Sequence, residues 1–574
     1  MKENWILRRR NGRELALKLR IDPLLASLIR ARIPDEEAED FLDREGPLHD
    51  PFLMKDLSGA VDSLIRHIGA GDTIMIVGDY DVDGVTSSSI LYLGLTGLGA
   101  KAKIRIPGRV EDGYGIRTYM VDEAIEEGCG LILTCDNGIR EFETMDYAAS
   151  KGMEVILTDH HEITVDKDGN DVLPVAKYIL NPHRQDCPYP AKNLCGAGVA
   201  YKLMQGLYQK MGKPLPATLL GYAALGTVCD LMTLVGENRR IVWQGLKIWN
   251  DAPPVGIRAM MDAAAIHELT VYHCGFVIGP MINAGGRLDH QQKFIQVLLT
   301  EDPTEAMELA FSLKSLNEER QHMTTMGVEQ AVEEADRAFT EDKVKVIHLP
   351  KVHESIAGLI AGKLKEYYHR PVFVLTGETD VIKGSGRSIE GYNMFGELLK
   401  QDALLEKYGG HPMAAGLSIQ KANLETFRLQ INEACELTEE DCVPKVYADC
   451  LLPLSHTSLS LAELMEKLEP YGNGNERPVF AATGLKLTGL RVMGRNRNAA
   501  RLYLSEQGHG CEAICFRMEA LEQTIREKYG ETVWNRLCEA ETFRQGLDLD
   551  ILYHLGINEY RGVRNVQCTV CNMR

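Results

Sequence analysis

The chain has 574 residues, of which 45% are hydrophobic and 25% charged, with a net charge of −19. That length is too great for one core, so three or four domains are expected, and the balance is ordinary for a globular protein. No apolar run approaches the ~18 residues of a membrane span, the fourteen cysteines scatter without repeated spacing as reduced thiols do, and the acidic balance at first sight argues against nucleic acid. The opening Met1-Lys2-Glu3-Asn4-Trp5 lacks the apolar core of a signal peptide, so a cytoplasmic protein without membrane attachment is expected.

Residues 1–50 read as a small helical lead-in. From 51 to 250 short apolar strands alternate with helical patterns, which predicts βαβ units and a mainly parallel sheet. Three of those strands end in acids or imidazoles. Ile74-Met75-Ile76-Val77 runs into Gly78-Asp79-Tyr80-Asp81-Val82-Asp83-Gly84, Leu131–Thr134 into Cys135-Asp136-Asn137-Gly138, and Val155–Thr158 into Asp159-His160-His161. In an open parallel sheet the carboxyl ends of the strands line the ligand crevice. Carboxylates with one or two imidazoles there suit Mg²⁺ or Mn²⁺, and so many like charges would repel one another without cations.

Residues 251–340 read as a helical connector. It carries Gly279-Pro-Met-Ile-Asn283-Ala-Gly-Gly-Arg287 and ends in a helix over roughly 302–339, interrupted only by Gly327. A second α/β unit is expected over 341–442, with Lys383-Gly-Ser385-Gly-Arg387-Ser388 and Tyr408-Gly-Gly410-His411. From 443 to 574 short strands with turns, in 485–514, 548–555 and 565–570, predict a small oligonucleotide-binding (OB) β-barrel. The run Arg491, Arg495, Arg497, Arg501 lies in it. A basic groove can bind a single strand whatever the net charge.

Each motif has a bland alternative. Asp79-x-Asp81-x-Asp83-Gly84 looks like a calcium loop, but loop position twelve is Ile90 rather than Glu and a strand precedes it. A plain turn needs one capping Asp, not three acids in five residues. Asp136 before Asn137-Gly138 has turn chemistry, and Asp230 after Ala223–Cys229 is by itself an ordinary acid. The glycine-rich Lys383–Ser388 loop can wrap a phosphate with N–H groups and a guanidinium fork, yet alone it is more often a turn. Cys568-x-x-Cys571 has no second pair near it and reads as bland.

Taken together these motifs, with Cys195-Gly-Ala-Gly198, Gly226–Asp230, Glu237-Asn-Arg239 and Pro470-Tyr-Gly-Asn-Gly-Asn475, closely resemble the DHH phosphoesterase superfamily and, within it, the RecJ-type single-strand-specific exonucleases. The resemblance covers nearly the whole chain. It implies an α/β protein with two core domains (DHH and DHHA1 type) joined by the long helix and followed by an OB-fold barrel. It implies two divalent cations, Mn²⁺ or Mg²⁺, with Asp79, Asp81, Asp83, Asp136, His160 and Asp230 as ligands. His161 is expected beside the scissile phosphate, Asp159 as the carboxylate that orients a histidine, and His160 and Asp83 in the catalytic set. Ser385, Arg387, Gly410 and His411 are expected to bind the 5′ phosphate of single-stranded DNA, with Arg109, Asn283 and Arg287 reaching it from the facing domain. A monomer acting with a single-strand-binding protein and a helicase is the implied setting. Rival readings are a relative acting on oligoribonucleotides or small nucleotides, which usually lacks the last domain, and a replication scaffold that has kept the fold.

Overall fold

The structure, a computed structural model, describes residues 3–8, 10–108, 113–287, 293–494, 497–539 and 542–574. The chain forms two compact units, one of Ile6–Ala310 with Tyr447–Arg574, the other of Phe311–Val446 with the first few residues.

In the larger unit, five parallel strands stand in the order Lys101–Arg105, Thr73–Val77, Cys129–Cys135, Glu154–Thr158, Tyr178–Leu180. The middle strands are apolar without alternation because helices cover both faces, and Ile74, Ile76, Leu131, Leu133 and Ile156 are fully buried. The chain lays down Thr73–Val77, steps outward to Lys101–Arg105, then crosses back to Cys129–Cys135. Strand order therefore reverses between Thr73–Val77 and Cys129–Cys135, and the loops leaving those strands flank the crevice that such a reversal opens. The helix Val82–Gly97 leaves the first of these loops, and Asp81 caps it, Oδ1 accepting from the N–H of Asp83 at 2.9 Å and of Gly84 at 3.1 Å. It is buried nearly throughout, packed against Gly196–Lys210 and Leu219–Cys229. Its polar run Thr86, Ser87, Ser88, Ser89 is tolerated there because each hydroxyl donates to the carbonyl four residues back.

Beyond this sheet and its helices, the unit holds a closed five-stranded barrel with the amino-terminal helices. Phe480–Met493 pairs with Ala499–Glu506 on one side and Leu547–Tyr560 on the other, and His509–Cys515 and Val563–Met573 complete the ring. The strands reach beyond the expected segments, and two amphipathic helices, Met518–Tyr529 and Glu531–Cys538, interrupt them. Leu15, Leu25, Ile29 and Phe41 of the lead-in share one hydrophobic core with Leu454, Phe480, Leu502 and Trp534 of the barrel. Arg239, 1% exposed, ties the pieces to the α/β layer. Its guanidinium donates to the carbonyls of Phe41, Leu468 and Lys467 and stacks on the Phe41 ring. Burial brings its pKa down to about 9.

The helix Pro303–Ala338 matches the expected long helix. In the smaller unit the sheet order is Leu405–His411, Ala414–Gln420, Val381–Arg387, Val372–Thr376, Lys345–Leu349, antiparallel except for the last pair. Helix Glu354–Tyr368 packs on Val372–Thr376 and Val381–Arg387.

Candidate active site

The three acid-bearing loops converge. His160 Nε2 lies 3.0 Å from Asp136 Oδ1, 3.5 Å from Asp83 Oδ2 and 3.5 Å from Asp230 Oδ2. Three overlapping groups of donors lie close enough to share a cation: Asp136, His160 and His161; Asp83, His160 and Asp230; Asp79, Asp81 and Asp136. Asp79, Asp83 and Asp136 are each 2% exposed. Two observations show that this donor set fits a hard divalent cation. Asp136 Oδ1 and Asp230 Oδ2 are buried and accept no hydrogen bond, a costly state for a carboxylate oxygen. Ligands about 2.1 Å from an octahedral ion stand about 3 Å apart, and the His160–Asp136 separation is 3.0 Å.

Local structure explains each placement. Asp136 has φ +61°, a left-handed backbone that costs an L-residue roughly 1–2 kcal/mol. Asn137, fully buried, holds it there, its side chain donating to Val77 O at 3.0 Å and Cys135 O at 2.8 Å and accepting from Ile116 N at 3.2 Å. The turn chemistry expected of Asn137 is thus a latch between two strand ends. Asp83 is gripped by the amino terminus of Gly196–Lys210, through the N–H of Gly196 at 2.6 Å and of Ala197 at 2.9 Å, where the helix dipole favours an anion.

The adjacent histidines do different things. Asp159, fully buried, accepts from the N–H of His160 at 2.7 Å, the N–H of His161 at 3.1 Å, the N–H of Ile139 at 3.0 Å and His161 Nδ1 at 2.7 Å. Burial works against the Asp159 anion, yet the His161 bond and charge hold its pKa below the usual range. Burial also lowers the pKa of His161, but Asp159 outweighs it and lifts that pKa to about 8. Burial keeps His160 below its ordinary value. Among the acids, burial and then Asp83 and Asp81 push Asp230 up to about 8. Burial and the neighbouring carboxylates push Asp136 well above its usual range. Burial and Asp83 raise Asp81.

The substrate-side residues fall into several places. Asn283 is half-buried on helix Gly279–Arg287, which touches the first acidic loop, since a Cβ at Gly286 would stand 2.9 Å from Tyr80 O. Arg287 ends that helix, and Arg109, like Arg495 of the basic run, lies outside the described residues. In the other unit, Ser385 and Arg387 lie on one strand. Arg387 pairs with Ala414, Ala414 with His411, and Gly410 with Ala415, so Arg387 and His411 share a row across three strands and one face of the sheet. His411 and Gly410 are exposed. The Arg387 guanidinium, its pKa lowered by burial, donates to Gly386 O at 2.8 Å and lies over Gly358. On the barrel, Arg497, Phe516, Arg517 and Trp534 line a cleft of about 650 Å³, while Arg501 pairs with Glu512 at 3.2 Å. Cys568 is buried in the barrel core.

Several site residues carried no sequence signal. Tyr114 donates to Asp136 O at 2.8 Å and its hydroxyl lies 3.1 Å from His161 Nδ1. Asn181, fully buried, donates to His161 O at 2.9 Å. Neither belongs to a periodic pattern or a strand-end acid cluster.

Comparison with known proteins accords with this architecture. Residues 73–227 match the DHH family, N-terminal domain, residues 341–437 the DHHA1 domain and residues 448–572 the RecJ OB domain. Single-stranded-DNA-specific exonuclease RecJ of Salmonella typhimurium is 32% identical over 609 residues, covering 99% of each chain, and that of Escherichia coli is 32% identical, covering 100% of each. The Bacillus subtilis relative is 33% identical over 89% of this chain, which spans 65% of its length. The crystal structure of Thermus thermophilus RecJ with Mn²⁺ superposes with a TM-score of 0.81 at 28% identity, covering 100% of this chain and 79% of that one. A structure of the same protein with Mg²⁺ gives 0.75. With such identity across whole relatives, and DHH, DHHA1 and OB domains in the same chain, this protein belongs to the RecJ family of DHH phosphoesterases.

Proposed function

We propose that this chain is a divalent-metal-dependent exonuclease specific for single-stranded DNA, hydrolysing phosphodiester bonds from the 5′ end and releasing 5′-mononucleotides in recombination and repair. The observation that carries the reading is the convergence of Asp83, Asp136 and Asp230 on His160, with two carboxylate oxygens buried and without hydrogen bonds. The family relatives are named as single-stranded-DNA-specific exonucleases, and the Thermus protein is described with Mn²⁺ and with Mg²⁺.

The proposed ligands are Asp79, Asp81, Asp83, Asp136, His160 and Asp230. Two ions are favoured over one because the donor groups overlap at Asp136, whose carboxylate has two oxygens to share between cations. Bound there, Mn²⁺ or Mg²⁺ supplies the Lewis acidity that makes water a nucleophile at neutral pH and steadies charge on the leaving oxygen. The chain's own residues do the rest. The Gly196 and Ala197 amides fix the direction of Asp83. Asp159 accepts from His161 Nδ1 and so fixes the direction of the imidazole, whose other nitrogen would face a phosphate oxygen. Tyr114 orients both the Asp136 backbone and the His161 ring. Ser385, Arg387, Gly410 and His411 are proposed to grip the terminal phosphate, and Arg109, Asn283 and Arg287 to contact phosphates of the strand. The barrel cleft with its arginines and Phe516 suits stacking and backbone contacts.

Action as a monomer is proposed from the family resemblance. Recruitment by a single-strand-binding protein or a helicase follows from the family resemblance. Among the described residues no helix is long and apolar enough to cross a membrane, and cytoplasmic DNA is the proposed substrate pool. The test is digestion of 5′-labelled and 3′-labelled single strands and of duplex with Mn²⁺, Mg²⁺ or chelator. Mononucleotide release from the 5′ end of single strands alone, stopped by chelator, supports the reading. Attack on duplex, or release from the 3′ end, overturns it.

A further inference from the structure

Asp230 differs from the other acids of the cluster in how it is held. Asp79, Asp83, Asp136 and Asp159 follow strands or sit in the first turn of a buried helix. Asp230 only terminates helix Leu219–Cys229 and leads into the loop Leu231–Val235. Leu231 takes a left-handed backbone, φ +56°, and leaves its side chain 71% exposed. The helix end holds the near part of this segment, Leu231 N–H donating to Val228 O at 3.2 Å and Met232 N–H to Thr227 O at 3.1 Å, and Leu234 is buried at its far part.

The barrel side of the unit adds a second hold. The loop Pro470–Asn475, which leads into the first barrel strand, lies against Leu231–Leu234. Asn473 brackets the segment: its Nδ2 donates to Leu231 O at 2.5 Å and its carbonyl accepts from Leu234 N at 2.7 Å. Gly474, with φ +72°, passes so close that a Cβ there would stand 3.1 Å from the Thr233 side chain. The loop has its own keystone. Asn475 is fully buried, its Nδ2 donates to Leu468 O at 2.7 Å and Pro470 O at 2.8 Å, and its backbone exchanges hydrogen bonds with Gly472 at 3.0 and 3.1 Å. A loop knit by its own hydrogen bonds thus grips the backbone that follows the acid.

We propose that the Pro470–Asn475 loop is a positioning element of the metal centre, and that Asn473, through Leu231 and Leu234, fixes the Asp230 carboxylate in its place beside His160 and Asp83. The barrel on this account is more than a strand-binding appendage, because part of the geometry of the acid cluster depends on it. This rests on the reading of Asp230 as a ligand given under Proposed function. Residues outside the ligand set that orient a ligand change metal affinity by roughly 10–100-fold when lost.

The experiment measures Mn²⁺ binding to the full chain without substrate, from the free-Mn²⁺ electron paramagnetic resonance signal, together with the melting temperature. Asn473→Ala is expected to weaken Mn²⁺ binding about tenfold, and hydrolysis of a short oligonucleotide should recover at saturating Mn²⁺. Asn473→Asp, which keeps the size but loses the donor, should behave alike. Lys486→Ala, on the exposed face of the barrel, should bind Mn²⁺ as wild type does. Asp230→Asn separates the two ideas. If it leaves Mn²⁺ binding unchanged, the ligand reading fails. If it abolishes tight binding while both Asn473 variants bind normally, the positioning role fails. Where the variants do not fold, the wild-type chain answers: coupling is reciprocal, so Mg²⁺ should slow hydrogen exchange in residues 471–475 as well as in 231–235. Unchanged exchange in 471–475 overturns the proposal.

Discussion

Asp83 and Gly196 are joined across 113 residues of sequence by a hydrogen bond of 2.6 Å, from the Gly196 N–H to Asp83 Oδ2. The first turn of one helix thereby fixes a carboxylate on the first turn of another. Gly196 is required there, because a Cβ would meet Asp136 Cβ at 2.7 Å and Asp83 Oδ2 at 3.0 Å. Gly196→Ala is expected to fold, since the substitution is helix-favouring, and to displace both carboxylates by several tenths of an ångström. Small misplacements of reacting groups cost on the order of 10²-fold in rate. Turnover of a 5′-phosphorylated oligonucleotide with Mn²⁺ checks this; activity within a few-fold of wild type would contradict it.

Asp136, a proposed ligand, is held in a state that costs the fold. Burial, and then Asp83, Asp81 and Asp79 beside it, hold its pKa well above the usual range. Asp136→Asn removes that repulsion and keeps the shape. The expected outcome is loss of hydrolysis, with a metal-free melting temperature equal to wild type or a few degrees higher. Melting in chelator beside a nuclease assay tests both halves, and an active or strongly destabilised variant would count against the assignment.

The cluster also predicts how pH acts on the metal-free chain. The folded state raises Asp230 to about 8 from 3.8 and raises Asp136 in the same direction. His161 rises to about 8 from 6.5. At these groups the folded chain therefore binds more protons than the unfolded chain between about pH 4 and 8. Stability contributed by these groups is present below that window and lost as pH rises through about 8. A bound cation replaces the protons, so Mn²⁺ should raise the melting temperature little near pH 5 and increasingly towards pH 8. A Mn²⁺ effect independent of pH would contradict the linkage.

The proposed phosphate grip has its own test. The Arg387 guanidinium lies over Gly358, where a Cβ would stand 2.9 Å from Nη2. Arg387→Ala should lower the preference for a 5′-phosphorylated over a 5′-hydroxyl end by roughly tenfold, the worth of a charge-assisted pair of hydrogen bonds. Gly358→Ala should shift the same ratio in the same direction by displacing the fork. An unchanged ratio in both variants would show that other residues read the end.

Local sequence showed what local physics decides. The strands before Asp79, Asp136 and Asp159 were legible because buried parallel strands are unbroken apolar runs, and the long helix was legible from its period. Asp230 looked ordinary because it follows a helix, and only packing brings its oxygen to 3.5 Å from His160. Asn137 has the chemistry of a turn residue, and its role between Val77 and Cys135 needs the sheet register. The Gly196 and Ala197 amides are backbone groups, which sequence patterns do not mark as ligands. The lead-in helices share their core with a barrel more than four hundred residues away, and no periodicity within 50 residues encodes that.

The most direct measurement is anomalous scattering at the manganese K-edge from crystals of the wild-type chain grown with Mn²⁺. The account expects two strong peaks, each within about 2.0–2.4 Å of its ligand atoms, drawn from Asp79, Asp81, Asp83, Asp136, His160 and Asp230. Absence of any peak at these residues in protein that cuts single strands with Mn²⁺, or a peak elsewhere that alone tracks activity, would contradict it.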